Sequence, residues 1–157
     1  TFAQAQKPEL YKTGCAGRIT GFSESEDGRY LLTLTGICRF DIAEETTGKD
    51  GYRRVFTDYS RFISDVESSD DANIDREKLL KIVKKFFEGQ KIEARWSTIK
   101  ATPTEQLVTS LAMSCPFGAN ERQALLETPK FSDRAQMLLT LLEMALLAPS
   151  DPGDKTH

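Results

Sequence analysis

The stretch from Leu10 to Glu45 constrains the fold more than any other part of the chain. Two apolar-rich runs, residues 10–22 and 29–43, flank a polar segment, Ser23–Gly28, that ends in Asp27-Gly28. Asp tolerates a left-handed backbone and Gly adopts one at no steric cost, so this dipeptide closes tight hairpins. After the turn the pattern has period two. Tyr30, Leu32 and Leu34 fall on one face, and Arg29, Leu31, Thr33 and Thr35 on the other. That predicts a strand with at least one buried face. Gly36 interrupts the alternation, which Phe40 and Ile42 restart. A glycine inside a strand pattern marks a bulge or a sharp bend, as at the corner of a small barrel.

Further along, the periodicity changes. Residues 44–51 read as a loop, and Tyr52–Phe56 alternates as a third strand. Tyr59, Phe62, Ile63 and Val66 suit a helical turn or another strand equally well, and Glu67–Asn73 is an acidic linker. Helical signals then dominate. Leu79, Leu80, Ile82, Val83, Phe86 and Phe87 form a stripe over Asp75–Glu88, capped by Asn73 or Asp75 and stopped by Gly89. Lys78, Lys81, Lys84 and Lys85 lie off that stripe and read as a solvated face. Lys91–Ile99 suits a short strand or a continuation of the helix, with Trp96 as a core anchor. Thr102-Pro103-Thr104-Glu105 predicts a capped helix start. Pro116-Phe117-Gly118 breaks that helix. Asn120 with Gln123 caps the next, and Ser132 caps a last one reaching about Leu147, with Ala145 and Leu146 inside. Strands first and helices second indicate an α+β fold: a β-rich part over residues 1–66, a helical part over 67–147, and a flexible tail over 148–157.

The totals exclude several function classes. Of 157 residues, 39% are hydrophobic and 29% charged, enough apolar matter for a core. The net charge of -3 argues against a general nucleic-acid binder, which needs a positive field. No apolar run approaches the roughly 20 residues that cross a bilayer, and no signal peptide is evident at the start, so a cytoplasmic protein is expected. The chain starts at Thr1 rather than Met, which leaves earlier elements open. Three cysteines (Cys15, Cys38 and Cys115) without CxxC spacing, and a single histidine, His157, at the last position, make a zinc site untenable. The cysteines read as small free hydrophobes, and a Cys15–Cys38 bridge across the hairpin stays open.

Catalytic constellations are missing. No phosphate-binding glycine loop, dinucleotide fingerprint or nucleophile elbow occurs. A terminal histidine cannot be a positioned base. Counting alone leaves a Ser-Lys pair open. Glu24, Glu26 and Asp27 cluster, but in a hairpin tip they read as solvent-facing and lack calcium-loop spacing. No catalytic residue, cofactor or metal is therefore expected. The aromatics say more. Tyr52, Phe56, Tyr59 and Phe62 are interleaved with Arg53, Arg54 and Arg61, a pattern suited to gripping an extended peptide, stacking bases, or filling a core.

Several segments together resemble the N-terminal, substrate-binding domain of the Lon ATP-dependent proteases. They are Y-K-T-G-C-A-G-R-I, then D-G-R-Y-L-L-T-L-T-G-I-C-R-F, and later L-V-T-S-L-A-M, E-R-Q-A-L-L-E-T and D-R-A-Q-M-L-L-T-L-L-E. The matching positions in the first two are Gly14, Ile19, Asp27, Gly28, Gly36, Arg39 and Phe40. The resemblance implies a small PUA-like β-pseudobarrel followed by a helical bundle. It also implies recognition of unfolded or degron-bearing polypeptides, or their placement for an attached protease, which for this chain leaves a separate ATP-dependent protease as a partner to consider. The ATPase and protease modules do not occur here, so a non-enzymatic module is expected. The family's opening strand and first helix are also missing, which leaves a sheet edge open to a partner strand or a second copy. Two other readings stand beside it: a PUA-like RNA-binding domain, and a peptidase with a Ser-Lys pair.

Overall fold

The computed structural model describes residues 8–46, 52–67 and 74–147. The chain divides into two compact units, Thr1–Asp70 and Asp71–His157, the first holding strands and the second helices. The α+β class expected from the sequence is the observed one.

The first unit is an antiparallel sheet in the order β1-β2-β3, with β1 at Thr13–Glu24, β2 at Tyr30–Thr46 and β3 at Arg54–Asp58. Among the described residues β1 and β3 each pair with β2 and not with one another. The Asp27-Gly28 turn joins β1 to β2. Gly28 sits at φ 78°, where a side chain would be strained. The expected irregularity beside Gly36 is a bulge: Gly17 pairs with Gly36 but Ala16 with Cys38, leaving Ile37 extra. A second slip, at Thr20 between the Ile19–Leu34 and Gly21–Thr33 pairs, has no glycine to announce it in β2. Gly14 is required sterically, because a Cβ there would lie 2.9 Å from the Phe40 ring.

Several expectations need correction. The third strand starts two residues late, because pairing begins at Thr46–Arg54, so Tyr52 lies outside it. Residues 44–46, read as loop, extend β2, and 47–51 lie outside the described residues. After β3 the chain forms a 3-10 helix, Ser60–Asp65, which settles the helix-or-strand ambiguity. The largest correction concerns burial. The alternating face of β2 is exposed from Tyr30 to Leu34. Period two fixes which side chains share a face, but a face is buried only where another layer covers it.

The second unit has a continuous apolar core. Its helices are α1 (Arg76–Gly89), α2 (Trp96–Ala101), α3 (Thr104–Ser114), α4 (Ala119–Glu127) and α5 (Phe131–Leu147). Leu79, Val83 and Phe86 of α1 pack with Val108 of α3, Leu125 of α4 and Leu138 and Leu142 of α5, all essentially inaccessible. Asp75 caps α1 by accepting from the Lys78 N–H at 2.9 Å, as its sequence predicts, whereas Asn73 lies outside the described residues. Gly89 does not stop α1. It is the last helical residue, and Lys91 takes the left-handed position at φ 55°. The Lys91 and Ile92 N–H groups close the helix onto the Glu88 and Phe87 carbonyls.

Lys91–Ile99 is neither strand nor helix continuation. Irregular chain leads to α2, and Trp96, half-buried, packs against Phe87 at the rim of the core. Thr102 does not cap α3. It ends α2, its Oγ1 donating to the Thr98 carbonyl at 2.8 Å. The start of α3 is tied instead by Arg76, which donates to Thr104 Oγ1 at 2.7 Å and to the Thr102 carbonyl at 2.7 Å. Likewise Gly118, not Asn120, precedes α4, and Glu121 reaches back to accept from the Gly118 N–H at 2.7 Å. Ser132 lies inside the first turn of α5. Leu146, expected inside, is exposed. Lys78 pairs with Glu143 at 3.6 Å and Lys84 with Glu88 at 3.8 Å, in keeping with a solvated lysine face.

Candidate functional site

The hairpin turn is built from hydrogen bonds within Ser25–Arg29. The Gly28 N–H donates to the Ser25 carbonyl at 2.9 Å, and the Ser25 N–H to the Arg29 carbonyl at 2.8 Å. Asp27 pairs with Arg29 and accepts from the Ser25 hydroxyl. The Arg29 guanidinium, aided by Ser25, holds the Asp27 carboxyl below its usual range. Glu24 and Glu26 stand in solvent, as the sequence suggests, and among the described residues no group of side chains is arranged to hold a metal.

Above the turn lies a broad apolar surface. The register pairs Phe22 with Leu32 and Ile19 with Leu34, so these four share a face with Tyr30. Phe22 stacks on Tyr30 with ring centroids 5.3 Å apart. All five are more than half exposed, as is Leu31 on the opposite face. A contiguous exposed apolar patch of this kind is uncommon on a folded domain. Sequence alternation placed Tyr30, Leu32 and Leu34 on one face and led to the expectation of at least one buried face, which the exposure of both Leu31 and these three contradicts.

The bend of β2 has a different character. The Arg39 guanidinium forms a forked ion pair with Asp65, Nε–Oδ2 2.8 Å and Nη2–Oδ1 2.6 Å, and its backbone N–H donates to the same carboxylate at 3.0 Å. Phe62 is fully buried and lies between two guanidinium groups, Arg39 at 4.5 Å and Arg61 at 4.6 Å from its ring centroid. Arg61 in turn reaches Asp41 at 3.1 Å and the Thr13 hydroxyl at 3.0 Å. This cluster fastens the 3-10 helix to the sheet. Asp65 has no motif to betray it, because a carboxylate's partner more than 20 residues away cannot be read from local spacing.

The aromatic group predicted from spacing is therefore divided. Tyr52 and Phe56 are exposed, Tyr59 is exposed but rests edge-on against Phe40 at 5.8 Å, and Phe62 is inaccessible. Phe62, expected with the others as a peptide-gripping residue, is thus withdrawn from any surface. Of the arginines between these aromatics, Arg53 and Arg61 are engaged within the unit. Arg53 forms a fork with Glu45 at 2.6 and 2.7 Å and donates to the Pro8 carbonyl. That pair also fills one wall of an open hollow beside Leu10, Tyr11 and Ile42, leaving it little to offer a ligand.

All three cysteines are free. Cys15 pairs with Arg39 and Ala16 with Cys38, so strand alternation turns the Cys15 and Cys38 side chains to opposite faces. The bridge left open by the sequence is not formed. Burial raises the Cys38 thiol and pushes that of Cys115 up to about 11, which favours the protonated form of Cys115 at neutral pH.

The model of the ATP-dependent protease La (LON) substrate-binding domain matches residues 2–144. Among solved structures, the chain is similar to a Lon N-terminal domain protein from Xanthomonas campestris, with 22% identity, 83% of this chain and 68% of that chain covered, and a TM-score of 0.53. It is also similar to the N-terminal domain of the Lon protease of Mycobacterium avium complex, with 14% identity, 88% and 73% covered, and a TM-score of 0.60. At these identities the likeness concerns the fold. No curated protein matches the sequence.

Proposed function

The chain belongs to the family of LON substrate-binding domains, and from that premise we propose that it recognises polypeptides through the apolar face of its hairpin and catalyses nothing itself. The observation that carries this reading is the exposed set Ile19, Phe22, Tyr30, Leu32 and Leu34. Unfolded polypeptides display apolar side chains that folded ones hide, and burying each on such a face contributes about 1.5–3 kcal/mol. Tyr52, Phe56 and Tyr59 extend the apolar area of the same unit. A separate ATP-dependent protease is the natural recipient of whatever is bound, and a cytoplasmic location is in keeping with three free cysteines. The division at Asp70 supports a β-rich recognition part up to about residue 66 followed by a helical part to 147. The internal engagement of Arg39, Arg53 and Arg61 favours protein over RNA as the partner.

The test uses a reduced, alkylated protein that cannot refold, followed by fluorescence anisotropy. The double variant Ile19→Ser/Phe22→Ser should bind it at least about tenfold more weakly, with helical circular dichroism unchanged. Phe56→Ala/Tyr59→Ala should give a smaller loss. Undiminished binding by the first variant would remove the hairpin face from the proposal.

A further inference from the structure

The hairpin tip holds a reactive dipeptide together with the groups that restrain it. An aspartate side chain and the main-chain nitrogen of the next residue can close a five-membered ring, and glycine leaves that nitrogen unshielded. The Gly28 nitrogen is therefore placed in sequence to attack Cγ of Asp27. In that reaction the carboxyl is first protonated. A C–N bond forms, a C–O bond breaks, and the carboxyl's hydroxyl departs as water with the amide proton. Water then opens the cyclic imide. Addition at Cγ restores aspartate. Addition at the main-chain carbonyl of Asp27 leaves isoaspartate, with the backbone running through Cγ and one carbon longer. No oxidant or reductant takes part. The extra carbon would fall in the turn that sets the register beginning at the Glu24–Tyr30 pair.

The turn opposes each requirement of this chemistry. The nitrogen must give up its proton, and the Gly28 N–H is committed to the Ser25 carbonyl at 2.9 Å. One carboxyl oxygen must leave, and both are held: Oδ2 accepts from Arg29 Nε at 2.7 Å, and Oδ1 accepts from the Ser25 hydroxyl. The leaving oxygen needs a proton, and the Arg29 guanidinium favours the anion that lacks it. The chain contains a second Asp-Gly, Asp50-Gly51, which lies outside the described residues. Its sequence differs where the restraint is built. Gly48 stands two residues before Asp50, where Asp27 has Ser25, and Tyr52 two residues after, where Asp27 has Arg29.

We propose that Ser25 and Arg29 guard Asp27 against isomerisation, and that Asp27 is a modification site, converting to isoaspartate when the guard is opened. This inference stands independently of polypeptide recognition.

The experiment incubates the protein in neutral buffer, folded or in urea, and measures isoaspartate at each Asp-Gly by peptide mapping with electron-transfer fragmentation. Asp27 should convert at least about tenfold more slowly in the folded protein than in urea, because the reacting atoms are held out of attack geometry. Arg29→Ala should raise the folded rate at Asp27 about threefold, in keeping with an exposed ion pair. Ser25→Ala/Arg29→Ala, which removes both side-chain donors, should raise it about tenfold. Arg29→Lys keeps the cation and should keep most of the protection. Asp50 should convert at one rate in all of these folded proteins, which separates the guard from general loosening of the unit. Equal conversion of Asp27 with and without urea would overturn the proposal. So would an Asp27 rate that Arg29→Ala leaves unchanged, one that Arg29→Lys raises as far as Arg29→Ala does, or a parallel rise at Asp50.

Discussion

The two units of this chain use apolar residues in opposite ways. In the helical unit nearly every residue of the 3.6-period stripe on α1 is withdrawn from water, and four helices share one core. In the β unit the apolar residues of a period-two pattern stand in solvent, while the buried groups at the bend include a phenylalanine, Phe62, and the guanidinium of Arg39, paired with Asp65. The composition of the two patterns is similar, and the difference lies in layers. Each helix has partners on its apolar side. Among the described residues, the hairpin from Ile19 to Leu34 has neither a further strand beside it nor a layer over its face, since β3 pairs with β2 only from Asp41 onward. Stability is thus concentrated in one unit and surface in the other.

The contrast can be broken by truncating equivalent apolar groups. Phe86→Ala should cost about 4 kcal/mol in urea unfolding of the helical unit, because it opens a cavity in a close-packed core. Leu34→Ala in the β unit should cost under about 0.5 kcal/mol, since its side chain is already in water. Comparable losses would mean that the hairpin face is covered in solution. Next in size, Asp65→Ala should cost the β unit about 3 kcal/mol, because it strands the buried Arg39 guanidinium. Its unfolding followed by Tyr fluorescence would show this, and a negligible change would show that the ion pair is not what holds the bend. Lys91→Gly should raise the stability of the helical unit by about 0.5–1 kcal/mol, since glycine takes the left-handed conformation there without strain; no gain would mean that α1 ends differently.

The smallest effect concerns the turn. The folded Asp27 carboxyl lies below its ordinary 3.8, so its contribution is complete above that value and is lost as pH falls through the lower folded one. Gly28 amide shifts should therefore move only under strongly acid conditions, and Asp27→Asn should remove the movement. A transition near neutral pH would point to another group.

What could be read from the sequence follows the range of the interaction. Asp27-Gly28, the alternation after it, the bulge beside Gly36 and the Asp75 cap are decided within a few residues, and they were legible. Thr102 shows the limit of local reading. Its motif is that of a cap, yet Arg76, some 25 residues earlier, binds that segment, and the Thr102 hydroxyl turns back to Thr98. Phe62 shows the same for the candidate site. Spacing grouped it with Phe56 and Tyr59, but only the approach of Arg39 and Arg61 removes it from the surface. Exposure of the hairpin face was not legible either. Alternation reports which side chains point together and is silent on what lies opposite.

The placement of the three thiols has a practical outcome. Cys38 and Cys115 are shut away, whereas Cys15 is open to solvent on β1, its sulfur 3.3 Å from where a Cβ on Gly36 would stand. Maleimide chemistry on the native fold should therefore attach one dye per molecule, at the foot of the hairpin, without any engineered cysteine. The protein carries its own attachment point for watching that hairpin at work.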